Sequence, residues 1–287
     1  MDNQIILKLT SSALAAALGL KTMGPDLPIL CVAPFSALIE GALCFSKHAI
    51  KEVIHKPVTV IVALSDNLGP SAAILSNNPR LDFARALAWI DEQHGIARPT
   101  VPPIIHPTAK IGRGVVLGNG VTIGANSIIH HNVVIGDGVI VGERCVVKSC
   151  AVIGEDGFGF ERDEHGLPVR LVHLGTVVIG NDVEIGSLTT VCRGTLDDTV
   201  IEDHVKIDDH VHIAHNVKVR RAAMIIACAE VSGGVEVGEQ AWIGPNASVI
   251  QKVKIGPQSV IGIGANVIRS VESGATVAGN PAKVLGR

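Results

Sequence analysis

A parallel β-helix with a small α/β domain at its N-terminal end is the fold that this 287-residue sequence predicts, and three observations predict it. Ile, Leu or Val recurs at positions 111, 117, 123, 129, 135, 141, 147 and 153 without a miss, a strict period of six. The period returns at Ile179, Ile185 and Val191, slips by four residues across Arg193 to Thr199, and then runs unbroken from Ile201 to Val267. Apolar residues form 47% of the chain, yet aromatics form only 2% and Tyr is absent, so the interior must be filled by Val, Ile and Ala, as a narrow stacked solenoid requires.

The elements follow in order. Residues 1–100 form the α/β head, with a helix at Ser12 to Leu20 and a strand at Val58 to Leu64. A second helix spans Leu81 to His94 after the turn-forming Asn77-Asn78-Pro79. The segment Ile96 to Pro103, with Pro99, Pro102 and Pro103, has the composition of a domain boundary. The rod occupies 101–270, interrupted by an insertion at 155–176 that is expected to project as a loop, and 271–287 is left as a tail.

Within the rod each hexad reads as a short strand plus a tight turn. A small or β-branched residue (Ala109, Val115, Val121, Ser127, Val133) sits two positions before each large aliphatic one, as the period-2 alternation of a strand demands of two inward side chains. Gly112, Gly118, Gly124, Gly136 and Gly142 follow the aliphatics and suit a backbone forced to positive φ. One hexad cannot bury its apolar side, so coils must stack at about 4.8 Å and complete each other's hydrogen bonds. A β-sandwich is disfavoured, because its strands recur irregularly and need larger side chains between the sheets.

Composition narrows function. The 24 basic and 27 acidic residues form no long run of either sign, so there is no electrostatic footprint for nucleic acid. No strongly apolar stretch reaches the roughly 18–20 residues of a membrane span, and the start MDNQIILKLTSS lacks the features of a secretory signal, so the expected location is the cytoplasm. Six scattered cysteines with no CxxC pair read as free core thiols and imply no metal site.

The hexads, such as Ile111-Gly-Arg-Gly-Val-Val and Ile179-Gly-Asn-Asp-Val-Glu, resemble those of the hexapeptide-repeat acyltransferase superfamily, whose rods are left-handed with three hexads per coil. That resemblance, not physics, supplies the hand, since right-handed crossovers dominate parallel sheets. Gly154 to Phe160, Thr189 to Thr199 and Ile207 to Asn216 are similar in order and spacing to the motifs of the LpxD family of lipid A synthesis, which transfers an acyl group to the amine of a UDP-linked 3-O-acylglucosamine. In the head, Gly41 to Phe45 and Asn78 to Ala86 resemble that family's uridine-binding domain, and Phe45 matches one of the two aromatics that stack uracil. The chain departs from the family in having no Tyr for the other and no second His within Val249 to Ile255. Its ending, Val277 to Arg287, instead resembles coenzyme A-dependent sugar acetyltransferases.

Amide formation from a thioester needs a base for the amine proton and donors for the oxyanion. By resemblance His215, in Ile213-Ala-His-Asn216, is the general base, with His210 and His212 as runners-up that read more simply as polar turn residues. With eighteen residues per coil, Gly233 lies one coil above His215, and its backbone N–H is the candidate oxyanion donor. Asp197 and Asp198, at the slip, either contact the sugar, orient His215 or cap a turn. Phe45, Asn216 and the insertion's Phe158 and Phe160 complete the candidate substrate-binding set. No cofactor is held permanently; the co-substrate is an acyl carrier protein or coenzyme A thioester. The expected assembly is a homotrimer with active sites in the clefts between rods, as the resemblance implies. Three functions stay open: the LpxD-like N-acyltransferase, a coenzyme A-dependent N-acyltransferase of another nucleotide amino sugar, and a non-catalytic scaffold. A γ-class carbonic anhydrase is disfavoured, because His204, His210 and His215 do not share one phase of the repeat.

Overall fold

The computed structural model describes residues 4–63 and 68–285. These divide into two compact units, 1–98 with 159–174, and 99–158 with 175–287.

The first unit is an α/β domain on a five-stranded sheet. Its strands are β1 (Lys21–Met23), β2 (Cys31–Val32), β3 (Ala42–Phe45), β4 (Thr59–Val62) and β5 (Ala72–Leu75), in the order β1-β5-β4-β3-β2. All neighbours are parallel except β1 with β5. Helix α1 (Ser11–Leu18) begins at Thr10, whose side chain accepts from Ala13 N, and ends at Gly19 in the left-handed region. Helix α2 (Pro79–Gln93) begins at Asn78, whose side chain accepts from Leu81 N. Pro79, read from sequence as part of the turn, is the first helical residue, where its missing N–H costs nothing. Only β4 was legible as a strand. Leu64, expected to end it, lies outside the described residues, as do 1–3 and 286–287 at the ends of the expected head and tail.

The 155–176 insertion contains an antiparallel hairpin, Phe160–Arg162 with Pro168–Arg170, in place of a projecting loop. Residues 159–174 belong to the first unit, tied to α2 by the ion pairs Arg80–Glu161 and Arg85–Glu164.

The second unit is a left-handed parallel β-helix whose three faces carry ten, eight and eight strands. Its core is a column of Val, Ile and Ala, nearly all under 2% exposed. Strand pairing fixes the coil length: Ile135 faces Ile153, Ile153 faces Val191, Val191 faces Ile213, and Ile213 faces Val231. The register is therefore eighteen residues per coil, broken once by thirty-eight, once by twenty-two and, in the last coil, by sixteen. Residues 276–278, part of the expected tail, add a parallel strand to the first face, on which 283–284 pairs antiparallel.

The glycines after the aliphatics are not at positive φ as expected. Left-handed backbone falls two positions later, at Gly114, Gly120, Asn126, Asn132, Gly138 and Arg144. Gly112, Gly118, Gly124, Gly136 and Gly142 are required by close approach: a Cβ on Gly112 would stand 2.6 Å from the His130 carbonyl carbon, and one on Gly124 2.5 Å from that of Gly142. The cysteine expectation also needs correction, because Cys228 is exposed and Cys150 half-buried, while the other four are buried.

Candidate active site

The two breaks in register that add residues both leave the rod at one corner, the turn from the second face to the third. The twenty-residue insertion follows Ile153, and the four-residue enlargement follows Val191. In the next two coils that corner holds His215, between the strands His212–Ile213 and Lys218–Val219, and then Gly233, between Glu230–Val231 and Glu236–Val237. The four irregularities are thus stacked in consecutive coils along one edge.

His215 and Gly233 are in direct contact. A Cβ on Gly233 would lie 2.7 Å from both Cε1 and Nε2 of the imidazole, so the ring occupies the space that any side chain at 233 would need. Gly233 is not at positive φ, so its glycine serves space, not backbone conformation. Elsewhere, corner N–H groups are capped by side chains from the coil above, as in Asn119 N to Asp137 Oδ1 (2.7 Å), Asn181 N to Asp203 Oδ1 (2.7 Å) and Ser187 N to Asp209 Oδ1 (2.6 Å). The residue above Gly233 is Gln251, and among the described residues the Gly233 N–H has no such cap.

The enlarged turn is wired into this corner. Asn216, at φ +60°, places its Oδ1 3.0 Å from His215 Nδ1, and the same oxygen accepts from Thr195 N (3.1 Å) and Thr195 Oγ1 (2.8 Å). Asn216 Nδ2 donates to the Asp197 carbonyl (2.7 Å), and Asn216 N donates to Thr199 Oγ1 (2.9 Å). Gly194 has to be glycine, because a side chain there would run into the Asp197 carbonyl and Asn216. At the start of the turn Arg193 reaches down two coils, donating to the carbonyls of Gly154 (2.7 Å) and Asp137 (2.8 Å). Beneath it a cleft of about 330 Å³ continues along the same edge, with Val116 and Val134 on its floor and Asp156 at its rim. Burial, reinforced by Asp156 and Glu155, pushes the Cys192 thiol up to about 11, so it stays protonated at neutral pH and offers no nucleophile.

Of the other candidates, Asp198 caps Thr176 N (2.8 Å), while Asp197 is exposed and engages Asn216 through its carbonyl. His212 points outward with Nδ1 2.7 Å from Thr190 Oγ1, and His210 is an exposed left-handed turn residue. Phe158 is 88% exposed, and Phe160 lies on the hairpin under the Arg170 guanidinium. In the first unit, Phe45 is half-buried with its ring 4.7 Å from that of Phe83. That unit also holds a cleft of about 790 Å³ lined by Phe35 to Leu38, Ser46 and His48 to Lys56, which sequence reasoning missed. Its signal was local: three Lys and two His (Lys47, His48, Lys51, His55, Lys56) within the eleven residues after Phe45. No group of three or more His, Cys, Asp or Glu among the described residues is arranged to hold a metal ion, and no described helix is long and apolar enough to cross a membrane.

Residues 120–155 match the family model "Bacterial transferase hexapeptide (six repeats)". The chain is 38% identical over 256 residues to a UDP-3-O-acylglucosamine N-acyltransferase of Delftia acidovorans, covering 82% of this chain and 75% of that protein. It is 33% identical over 250 residues to the one of Coxiella burnetii, covering 77% and 73%. Among solved structures, LpxA from Acinetobacter baumannii superposes with a TM-score of 0.53 at 26% identity, over 66% of this chain and 74% of that one.

Proposed function

We propose the following chemistry from the premise that the chain belongs to the UDP-3-O-acylglucosamine N-acyltransferase family. It is an acyltransferase, and the family's acceptor is the amine of a UDP-linked glucosamine. The amine nitrogen attacks the thioester carbonyl carbon, His215 takes the amine proton on the ring edge that faces Gly233, and the Gly233 N–H holds the oxyanion. The C–N bond forms, the C–S bond breaks, and the imidazolium returns its proton to the departing thiolate. Transfer proceeds directly from the thioester to the amine. The observation that carries this reading is the contact of His215 with the uncapped Gly233 across one coil.

The head cleft, with Lys51, Lys56, His48 and His55 on its walls, is the proposed seat of the uridine diphosphate, with Phe45 on the strand leading into it. Asn216, Asp197, Phe158 and Phe160 are kept as the sugar-side candidates, and the enzyme is proposed to act in the cytoplasm. By resemblance to the LpxD family, the first reading of the donor is an acyl carrier protein thioester. A coenzyme A thioester is the second reading, favoured by the hairpin of 276–278 with 283–284 that carries the Gly279-Asn280-Pro281-Ala282 turn. Parallel turnover assays with the two thioesters decide between them.

His215→Ala is expected to lower kcat by about 10²–10⁴-fold with sugar-nucleotide binding retained in calorimetry. Full activity in that variant would remove His215 from the mechanism. The working assembly is a homotrimer, in which neighbouring rods close the clefts; a stable monomer by light scattering with full activity would refute it.

A further inference from the structure

We propose that the four-residue enlargement of the coil beneath His215 is a tautomer lock, with Thr195 as its positioning residue. A backbone N–H can only donate and a backbone C=O can only accept. The Thr195 N–H therefore requires the oxygen of the Asn216 amide, 3.1 Å away, and the Asp197 carbonyl requires its nitrogen, 2.7 Å away. Two groups of fixed polarity on one turn thus set which way the amide faces, and the Thr195 hydroxyl, which can donate or accept, follows that choice and donates to the same oxygen at 2.8 Å, strengthening the hold.

The consequence reaches the ring. The atom presented to His215 Nδ1 at 3.0 Å is an acceptor, so Nδ1 carries the proton and the neutral imidazole keeps its lone pair on Nε2. Nε2 belongs to the ring edge packed on Gly233. Were the amide reversed, Nδ1 would face a donor and the lone pair would turn away from that edge. The enlarged turn brings an N–H and a carbonyl to opposite ends of the Asn216 amide. The enlargement is closed over this contact, since Gly194 leaves room for Asn216 and Arg193 pins its base to Gly154 and Asp137.

This inference rests on His215 being the base, and its test separates the two ideas. In protein labelled with ¹⁵N-histidine, the wild-type His215 signals should report protonated Nδ1 and unprotonated Nε2. Asn216→Gly, which tolerates the positive φ, should shift that pattern toward a tautomer mixture, and Thr195→Val, which loosens the amide but keeps both backbone partners, should shift it less. Thr195→Val should lower kcat by about three- to ten-fold, the loss of one ordinary hydrogen bond, with KM for the sugar nucleotide changed less than two-fold, and Thr195→Ser should restore both readouts. An unaltered ¹⁵N pattern in both Asn216→Gly and Thr195→Val overturns the lock. So does a kcat loss in Thr195→Val that Thr195→Ser does not recover. If Thr195→Val does not fold, Asn216→Gly and Thr195→Ser carry the test. A fully active His215→Ala would refute the base assignment alone and leave the tautomer measurement standing.

Discussion

Two corners of the same rod are built for opposite purposes. At the turn after Ile185, Ser187 N–H is capped by Asp209 of the coil above, and the Thr189 hydroxyl beside it is buried and donates to the Asp208 carbonyl. At the turn after Val231, the place of the capped residue is taken by Gly233, whose N–H has no side-chain cap among the described residues and whose missing Cβ admits an imidazole from the coil below. A structural corner satisfies its own polar groups, whereas a catalytic one holds them back for a substrate. The backbone path is nearly the same, so the difference lies in which side chains each coil offers the next.

Gly233→Ala breaks this comparison most severely. The methyl would enter the space of the His215 ring, and kcat should fall by about 10²-fold, read by steady-state kinetics with the folded state checked by circular dichroism. Its neighbour Gly234 is the control. It sits at φ +69°, and a methyl added there would meet only the Lys252 Cγ, at 3.5 Å. Gly234→Ala should therefore cost about 1–2 kcal/mol of backbone strain, seen as a lowered Tm, with kcat preserved. Asp209→Ala strips the cap from the structural corner and should cost about 1 kcal/mol with no change in turnover. The smallest effect is expected on the third face, where Arg220 bridges Glu202 and Glu236. Hydrogen bonding to Arg220 holds the Glu236 carboxyl below its usual range. A depressed folded pKa gives stability that is present above the unfolded value, about 4.3, and is lost as pH falls through the folded one. Arg220→Met should therefore flatten the acid limb of a Tm-against-pH curve below about pH 4 and leave neutral activity intact.

How much of this was legible in the sequence depended on whether an element repeats. A hexad must match the hexad one coil away, so its inward positions are stated again and again, and the eighteen-residue coil that pairs His215 with Gly233 follows once the resemblance supplies three hexads per coil. The head offers no such redundancy. Its strands β3, β4 and β5 are almost wholly buried, so they show apolar runs without alternation, and only β4 stood out. The Phe160–Arg170 hairpin is specified by Arg80 and Arg85, some eighty residues earlier in the chain, which no local pattern reveals. Of the roles left open for Asp198 the structure shows the turn cap, which the sequence could not single out because the enlargement hides its phase. It stands twenty-two residues after Thr176, the same offset that joins Asn181 to Asp203 and Ser187 to Asp209. The link from Thr195 through Asn216 to His215 was invisible, since it exists only once the extra residues have found their path.

Every strand after the long excursion resumes with one common displacement, so the three faces never notice what was inserted between them. Lengthening a flexible excursion costs only about 0.6 kcal/mol of closure entropy per doubling. The corner is therefore a socket: segments grafted after Ile153 or Val191 can change what the enzyme grips while the scaffold that aims its imidazole is inherited unaltered.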